Sequence, residues 1–382
     1  MKPLSQLLFL GAVAFSFSAA AQTFTSGSTG SAGPLIVTVN TNIVLPPNGI
    51  LNYTTVNIAP NRTVTFMRNE ANTPVYILAT GNVTIAGPII LGRSNGNNVK
   101  GGEGGPGGFD GGSPGSVSIP SGAGYGPGSG RGGLNNNTAD GAGGGAFATA
   151  GGGGSTRKGA SYGNALLIPM IGGSGGGGTD GTPGRGGAGG GGAILIASTT
   201  RIDLTADISA EGGGSVSSAQ NGGSGGAVRL VAPVVAGGGR IFVRGSGGGG
   251  LGRIRIDATD RSQMNIVFYN PEVTSVGSLL LVFPNPLPRL DIIEAAGKVI
   301  PEGSGSQTLQ LPFGSSPNRT VRIQARDFNA QVPITLVLTP DHGTPITYTS
   351  TIRNTAGNNP ATVDVNIVMP INEQTTFHVY SK

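Results

Sequence analysis

Cysteine and tryptophan are absent from this chain, and histidine and charged residues are scarce. Of its 382 residues none is Cys, two are His and 11% are Asp, Glu, Lys or Arg. The lack of cysteine excludes disulfides, thiolate nucleophiles, zinc–cysteine sites and iron–sulfur clusters. Both histidines, His342 and His378, lie near the C-terminus, so histidine-dependent acid–base or metal chemistry is not expected elsewhere. We expect neither a bound metal nor a cofactor.

Glycine, in contrast, makes up 72 of the 382 residues, and 40 of these lie in residues 101–192. Average usage is about 7%, so a glycine-rich middle separates two ends of more ordinary composition. The net charge of +5 favours anionic partners only weakly. Aromatic residues make up 5% of the chain, and this scarcity argues against nucleic acid as a partner and against a dedicated sugar-binding groove.

Residues 1–21 are typical of a cleaved secretory signal. A short basic start at Met1 and Lys2 precedes an uncharged, mainly apolar run from Leu7 to Phe17, and small alanines precede Gln22. The apolar run is about 11 residues long, which is too short to cross a bilayer. We expect a mature protein without a transmembrane segment that is secreted or held at the cell surface, with the periplasm as the alternative.

Four short apolar segments, residues 74–80, 192–198, 226–232 and 252–258, repeat along the chain and predict stacked strands. Their alignment gives two columns: Tyr76, Ile194, Val228 and Ile254 in the first, and Leu78, Ile196, Leu230 and Ile256 in the second. Because the columns are two residues apart, both face the same side of a strand. Units of about 20 core residues without a helical pattern predict a β-solenoid.

A glycine-rich stretch follows each repeat unit after a second alternating run. These stretches, residues 97–192, 212–226 and 245–252, differ greatly in length. Insertions of unequal length at one equivalent position predict loops that leave the same edge of a stacked structure.

The repeat units carry a resemblance to a known group of proteins. The segments ILIAS, IDLTADISAEGGG, NGGSGGAVRLVAP and GGGGLGRIRIDA resemble the glycine-rich, right-handed parallel β-helix proteins of the pectate-lyase-like superfold that bacteria export. The resemblance covers about residues 35–270 and implies an all-β fold with a long glycine-rich insertion. It leaves function open, because the superfold includes lyases, hydrolases, adhesins and inert surface fibres.

Within the insertion, glycine recurs at every third position from Gly172 to Gly190. A period of three matches an extended helix with three residues per turn and no internal hydrogen bonds. Proline is too rare here for collagen, so two hypotheses remain: packed polyglycine-type helices, or a flexible linker.

A composition change near residue 286 marks a second unit. Residues 286–382 contain six glycines and five alternating runs, at 320–328, 333–340, 345–352, 361–370 and 375–381. Short strands at this spacing predict a small antiparallel β-sandwich that resembles immunoglobulin-like or fibronectin-like modules. We expect a β-helix domain over residues 22–285, a stiff linker at 284–288 and the sandwich over 286–382.

A polysaccharide lyase or hydrolase is the enzymatic alternative for such a fold. Its best candidate catalytic residues are Asp203 and Asp207, which a single strand would place on one outer face about 13 Å apart. Glycosidase carboxylates lie about 5–9.5 Å apart, so this pair is too widely spaced. The motifs of polygalacturonases are also absent, and we expect no enzymatic activity.

Arginine is concentrated near the end of the repeats, and these side chains are the candidate ligand-binding residues: Arg229, Arg240, Arg244, Arg253 and Arg255. Arg229 and Arg255 fall in one outward column on adjacent strands, about 4.8 Å apart, which is unfavourable unless an anion or a neighbouring carboxylate lies between them. The functional interpretation is a site for an anionic polysaccharide or cell-surface glycan; the alternative is a solvated face that keeps the sheet soluble.

The sequence therefore predicts an exported, non-enzymatic structural or adhesive surface protein whose rigid solenoid displays glycine-rich loops. The alternatives are a polysaccharide lyase or hydrolase and an ice- or surface-binding polyglycine slab. The oligomeric state is left open.

Overall fold

The chain is nearly all β-structure. The computed structural model describes residues 24–133, 141–153, 156–214 and 221–381. Within these ranges there are 24 strands, β1–β24, and a 3₁₀ turn at Pro271–Val273. The predicted signal segment, residues 1–21, lies outside the described residues. None of the described helices is both long and apolar enough to cross a membrane.

Three parallel sheets contain the first 17 strands. Sheet A consists of β1 (Leu35–Val37), β4 (Val56–Ile58), β7 (Val83–Ile85), β10 (Arg201–Leu204) and β13 (Val234–Ala236). Sheet B consists of β2 (Thr41–Val44), β5 (Val64–Met67), β8 (Ile89–Leu91), β11 (Asp207–Ser209), β14 (Arg240–Phe242) and β16 (Val267–Phe268). Sheet C consists of β3 (Ile50–Tyr53), β6 (Val75–Ala79), β9 (Ala193–Ser198), β12 (Ala227–Val231), β15 (Arg253–Asp257) and β17 (Thr274–Gly277).

Successive strands enter sheets A, B and C in turn, and each strand pairs with the strand one turn earlier and one turn later. The last turn has strands in sheets B and C, β16 and β17, because residues 258–266 form isolated bridges and bends where a sheet A strand would follow. The predicted β-helix-like stacking of parallel sheets is thereby confirmed.

The inner face of sheet C carries the predicted aliphatic columns over its last three long strands. Val228 pairs with Ile194 and Ile254, and all three side chains are buried. In β6, however, it is Val75 that pairs with Ile194, so the assignment of Tyr76 and Leu78 to the inner columns was wrong by one residue. Strand β6 is apolar on both faces, so alternation alone did not show which face was inner.

The outer face of sheet C is largely buried because other segments cover it. Leu78 and Leu195 on this face pack against Phe147, Leu167 and residues of the segment 280–283 that follows the last turn. A parallel strand buried on both faces has no polar alternation. The apolar run at 165–171 and the segment 280–283 thus form a second core outside the sheets.

All three glycine-rich stretches leave between a sheet B strand and the following sheet C strand, as predicted. They connect β8 to β9, β11 to β12, and β14 to β15. We call the described residues of these three stretches the glycine array. The array also includes the residues just before each stretch, starting at Ser94, Ala210 and Val243.

Backbone hydrogen bonds in the glycine array repeat every third residue. In the segment 186–191 the N–H donors and carbonyl acceptors pair as follows: Gly186 with Asn97, Gly187 with Gly112, Ala188 with Asn221, Gly189 with Ser94, Gly190 with Phe109, and Gly191 with Ser224. Three successive residues therefore bond to three different neighbouring segments, and the next three residues return to the same neighbours. This is the pattern of packed helices with three residues per turn.

The close approach of backbones explains why these positions are glycine. A Cβ atom added to Gly187 or Gly190 would lie less than 3.0 Å from backbone atoms of Gly176 or Gly173. Neither position requires a positive φ. Space between segments, and not backbone conformation, excludes a side chain here.

Residues 289–381 form two antiparallel sheets that share one hydrophobic core. The first contains β18 (Arg289–Ala295), β19 (Lys298–Val299), β20 (Asn318–Arg326) and β23 (Ala361–Val368); the second contains β21 (Ala330–Pro340), β22 (Ile346–Asn354) and β24 (Thr375–Ser381). The predicted antiparallel region is confirmed. Strands β18 and β19 were not predicted, because charged residues such as Asp291 and Glu294 interrupt the apolar pattern.

This C-terminal module packs against the glycine array. The Tyr125 hydroxyl lies 3.3 Å from Asp341 Oδ1, and Gly122 forms a parallel bridge with Gly343. The His378 ring lies with its centroid 5.8 Å from that of Phe109 and 6.0 Å from that of Tyr125. Aromatic side chains of both parts therefore form the contact.

Candidate functional site

The outer face of sheet B carries a cluster of arginine and aromatic side chains near the C-terminal end of the parallel sheets. Arg240 and Phe242 alternate with the buried Ile241 on β14, so both point outward. Arg244 follows the strand, and Tyr269 follows the neighbouring strand β16. We call Arg240, Phe242, Arg244 and Tyr269 the arginine–aromatic platform.

The aromatic rings of the platform stack on each other and on the guanidinium groups. The Phe242 and Tyr269 ring centroids are 4.5 Å apart with an interplanar angle of 23°. Arg240 Cζ lies 5.5 Å and Arg244 Cζ 5.3 Å from the Phe242 centroid, which is within cation–π range. The two rings and the two guanidinium groups thus form one contiguous stacked cluster.

Carboxylates of the preceding turn hold both arginines in place. Asp207 is the register partner of Arg240 and accepts two hydrogen bonds from it, at 2.6 and 2.7 Å. Glu211 accepts one from Arg244 at 2.7 Å and lies 3.7 Å from Arg93. Hydrogen bonding to Asp207 raises the pKa of Arg240 above its ordinary value.

The platform remains accessible and carries a small excess of positive charge. The Arg240 and Arg244 side chains are 49% and 50% exposed. Three guanidinium groups, with Arg93, face two carboxylates, which leaves a net charge of +1. A shallow groove of about 350 Å³ beside Asp207 and Arg240 extends this surface towards Asn61.

The other three predicted ligand-binding arginines lie on sheet C, beneath the segments that cover its outer face. The side chains of Arg229 and Arg255 are 0% and 11% exposed. Arg253 donates to the Tyr162 carbonyl and lies 5.4 Å from the Phe147 ring centroid. The five arginines therefore occupy two separate places, and only Arg240 and Arg244 belong to the platform.

A carboxylate separates the two stacked arginines of sheet C. Asp257 accepts hydrogen bonds from Arg229 at 3.1 Å through Oδ2 and from Arg255 through Oδ1. Its Oδ1 also accepts from the Leu279 N–H, which ties the covering segment to the sheet. Burial lowers the pKa of Arg229, and the interaction with Asp257 opposes this effect.

Asp203 and Asp207 do not share a face. Asp203 lies on β10 of sheet A and Asp207 on β11 of sheet B, because the chain bends at Ala206 between the two strands. The prediction of one continuous strand here was wrong. Each carboxylate is paired with an arginine, Asp203 with Arg201 at 2.8 Å. Among the described residues no cluster of three or more His, Asp or Glu side chains could hold a metal ion.

Sequence reasoning missed the Phe242–Tyr269 stack and the carboxylate partners of the platform. The spacing contained a usable signal: Asp207 and Arg240 are 33 residues apart, and so are Glu211 and Arg244. A pair of opposite charges repeated at the length of one turn indicates neighbours on adjacent strands.

Comparison with known proteins gives no family. No known protein family matches the sequence, and no curated protein matches it. The chitinase ChiW from Paenibacillus sp. str. FPU-7, described as a bacterial cell-surface-expressed multi-modular enzyme, aligns with 8% identity and a TM-score of 0.14 over 91% of this chain and 24% of that chain. The chain spans about a quarter of the length of that enzyme, and a likeness this low supports no conclusion about fold or function.

Proposed function

We propose that the chain is an exported, non-enzymatic structural or adhesive protein that contacts anionic glycans through the arginine–aromatic platform. In this proposal the parallel sheets close into a right-handed solenoid, residues 1–21 are removed on export, and the C-terminal module is an immunoglobulin-like or fibronectin-like domain. The solenoid supports both the platform and the glycine-rich loops.

The observation that carries the proposal is the Phe242–Tyr269 stack, in which Tyr269 is 47% exposed, with Arg240 and Arg244 beside it. An exposed aromatic ring suits the apolar face of a sugar ring. Guanidinium groups suit carboxylate or sulfate groups, which they bind with two parallel hydrogen bonds. The excess positive charge favours acidic over neutral polysaccharides.

The platform is also held in a fixed arrangement before a ligand binds, and this favours a binding role. The inward neighbours Ile241 and Val243 are fully buried, so the backbone under the platform is held by the core. The paired carboxylates Asp207 and Glu211 restrict the arginine side chains further. Side chains held in this way lose little conformational entropy when a ligand binds.

The glycine array supports the adhesive part of the proposal. Two of its turns, at residues 97–100 and 116–119, are closed by backbone hydrogen bonds from Asn97 N–H to Lys100 O and from Ser116 N–H to Ile119 O. Val99 and Val117 at these turns are 84% and 85% exposed. The array thus presents short exposed turns on a hydrogen-bonded base.

Binding assays with the mature protein test the proposal. We expect immobilised polygalacturonate or a sulfated glycan to retain the protein, and a neutral glucan to retain it less. The double variant Phe242→Ala with Arg244→Gln should weaken retention at least about tenfold, since it removes both stacking and a charged contact. Arg353→Gln, which alters an exposed arginine without an ion pair among the described residues, is the matched control. Unchanged retention of the double variant, or no glycan binding at all, would overturn the proposal.

A further inference from the structure

A cavity of about 320 Å³ lies where the C-terminal module meets the glycine array. Its walls include Ser121, Arg131, Thr156 and Arg157 from the array and Thr344 from the module. The volume is at the lower end of the range for small-molecule sites. The platform on sheet B contributes no residue to it.

Backbone hydrogen bonds fix the walls of this cavity. The Arg131 N–H donates to the Arg157 carbonyl at 2.8 Å, so the two arginines lie on adjacent segments of the array. The Arg157 guanidinium donates to the Gly132 carbonyl. On the module side, the Gly343 N–H donates to the Ser121 carbonyl at 3.2 Å. The site therefore depends on both parts of the protein.

The two arginines differ from those of the platform, because neither is paired with a carboxylate among the described residues. Within the described ranges, no Asp or Glu lies within 4.0 Å of the guanidinium of Arg131 or Arg157. The acids of the adjacent module loops are engaged elsewhere: Asp341 faces the Tyr125 hydroxyl, and Glu373 accepts from His342. Two arginines thus line one cavity, and in the part of the chain that the structure describes neither forms an ion pair.

We infer that this cavity binds a small oxyanion, the carboxylate or sulfate group of an acidic ligand. An anion between Arg131 and Arg157 relieves their mutual repulsion, and guanidinium groups bind planar or tetrahedral oxyanions through charge-assisted hydrogen bonds. The hydroxyl groups of Thr156 and Thr344 supply further donors. Because the walls come from both parts, the bound anion also strengthens the contact between array and module.

Isothermal titration calorimetry on the mature full-length chain tests this site, with sodium sulfate, sodium glucuronate and glucose titrated at constant ionic strength. We expect at least one of the two anions to bind and glucose not to bind. The double variant Arg131→Gln with Arg157→Gln should lower the anion affinity at least about tenfold. Arg131→Gln alone, at an exposed side chain, gives the same test if the double variant does not fold.

A control variant separates this site from the other arginines of the surface. Arg62→Gln, at an exposed arginine without an ion pair among the described residues, should leave the anion affinity unchanged. Binding of glucuronate alone assigns a carboxylate-bearing sugar, and binding of sulfate alone assigns a free or esterified sulfate. Absence of binding for both anions, equal binding of glucose, or equal weakening by Arg62→Gln overturns the inference.

Discussion

The carboxylate of Asp257 accepts two hydrogen bonds from Arg229, at 3.1 and 3.3 Å, and neither side chain has any exposed surface. Arg255 pairs with the same carboxylate, so a single negative charge lies beside two positive charges that are buried or nearly buried. Arg229 Nη1 has no hydrogen-bond partner among the described residues. This cluster is therefore a structural element under the covering segment 280–283, and its stability depends on Asp257.

Asp257→Asn should destabilise the protein strongly. The variant leaves two guanidinium groups without a counter-charge, and breaking a buried ion pair by removing one partner costs about 3–5 kcal/mol. Denaturant unfolding of both proteins measures the difference. Asp203→Asn is the matched control, because its surface pair with Arg201 is about one-third exposed and is worth about 1 kcal/mol or less. Equal effects of the two substitutions would contradict a structural role for the buried cluster.

Gly187→Ala should disrupt the glycine array. The added methyl group would meet the backbone of Gly176, and rigid neighbouring segments cannot move aside at low cost. Overpacking of this kind costs about 1–3 kcal/mol or more. We expect a lower Tm and faster proteolytic cleavage within residues 97–192.

Gly357→Ala provides the control for the array, because a Cβ atom at Gly357 meets no heavy atom within 4 Å. This variant should have the Tm and cleavage pattern of the parent protein. If residues 97–192 of the unmodified protein were cut as rapidly as an unstructured linker, the hydrogen-bonded array would not describe the chain in solution.

Acid should weaken the contact between the C-terminal module and the array through His378. Packing against Phe109, Tyr125 and Tyr380 removes water from the imidazole and lowers its pKa from 6.5 to about 4, an effect that the charge of Asp110 partly opposes. The separated state binds the proton more readily, so docking is fully stable above about pH 6.5 and loses stability as the pH falls towards 4.

Proteolysis at the linker, residues 284–288, measured from pH 7 to pH 4 detects this loss. His378→Phe keeps the ring packing and removes the titrating group, so it should abolish the pH dependence in this interval. His342→Gln should retain it, because His342 hydrogen-bonds with Glu373 and, among the described residues, makes none of the ring contacts that His378 makes with Phe109, Tyr125 and Tyr380. An unchanged pH dependence in His378→Phe would exclude His378 as its cause.

The sequence predicted the stacked sheets well where one face was polar or where β-branched residues recurred. The columns through Val228 and Leu230 were correct because both residues align with isoleucines one turn away. The register of β6 was wrong because Tyr76 and Leu78 are as apolar as the core residues beside them. An alternating apolar and polar pattern shows which face of a strand points to the core only when the other face is exposed to water.

The glycine array and the arginines were harder to predict for different reasons. Bonds such as that from Gly187 N–H to Gly112 O join backbones across long stretches of chain, and a glycine has no side chain that could indicate its partner. The sequence alone places the five arginines on one surface, because nothing in it marks Leu167 and Val282 as a cover for sheet C. A buried arginine and an exposed arginine occupy the same kind of outward position in the sequence pattern, and only the covering segment distinguishes them.

Asp207→Asn distinguishes a binding platform from a catalytic site. In a binding platform the substitution removes one of two carboxylates and raises the local net charge from +1 to +2. Affinity for acidic glycans should therefore rise about two- to fivefold at low salt, with a steeper salt dependence. Asp203→Asn, on sheet A, should leave the affinity unchanged.

In a lyase or hydrolase, by contrast, the parent protein would release product from pectin or alginate, with or without calcium, and Asp207→Asn would abolish that release. Product release that depends on Asp203 or Asp207 would replace the adhesive proposal with the enzymatic one.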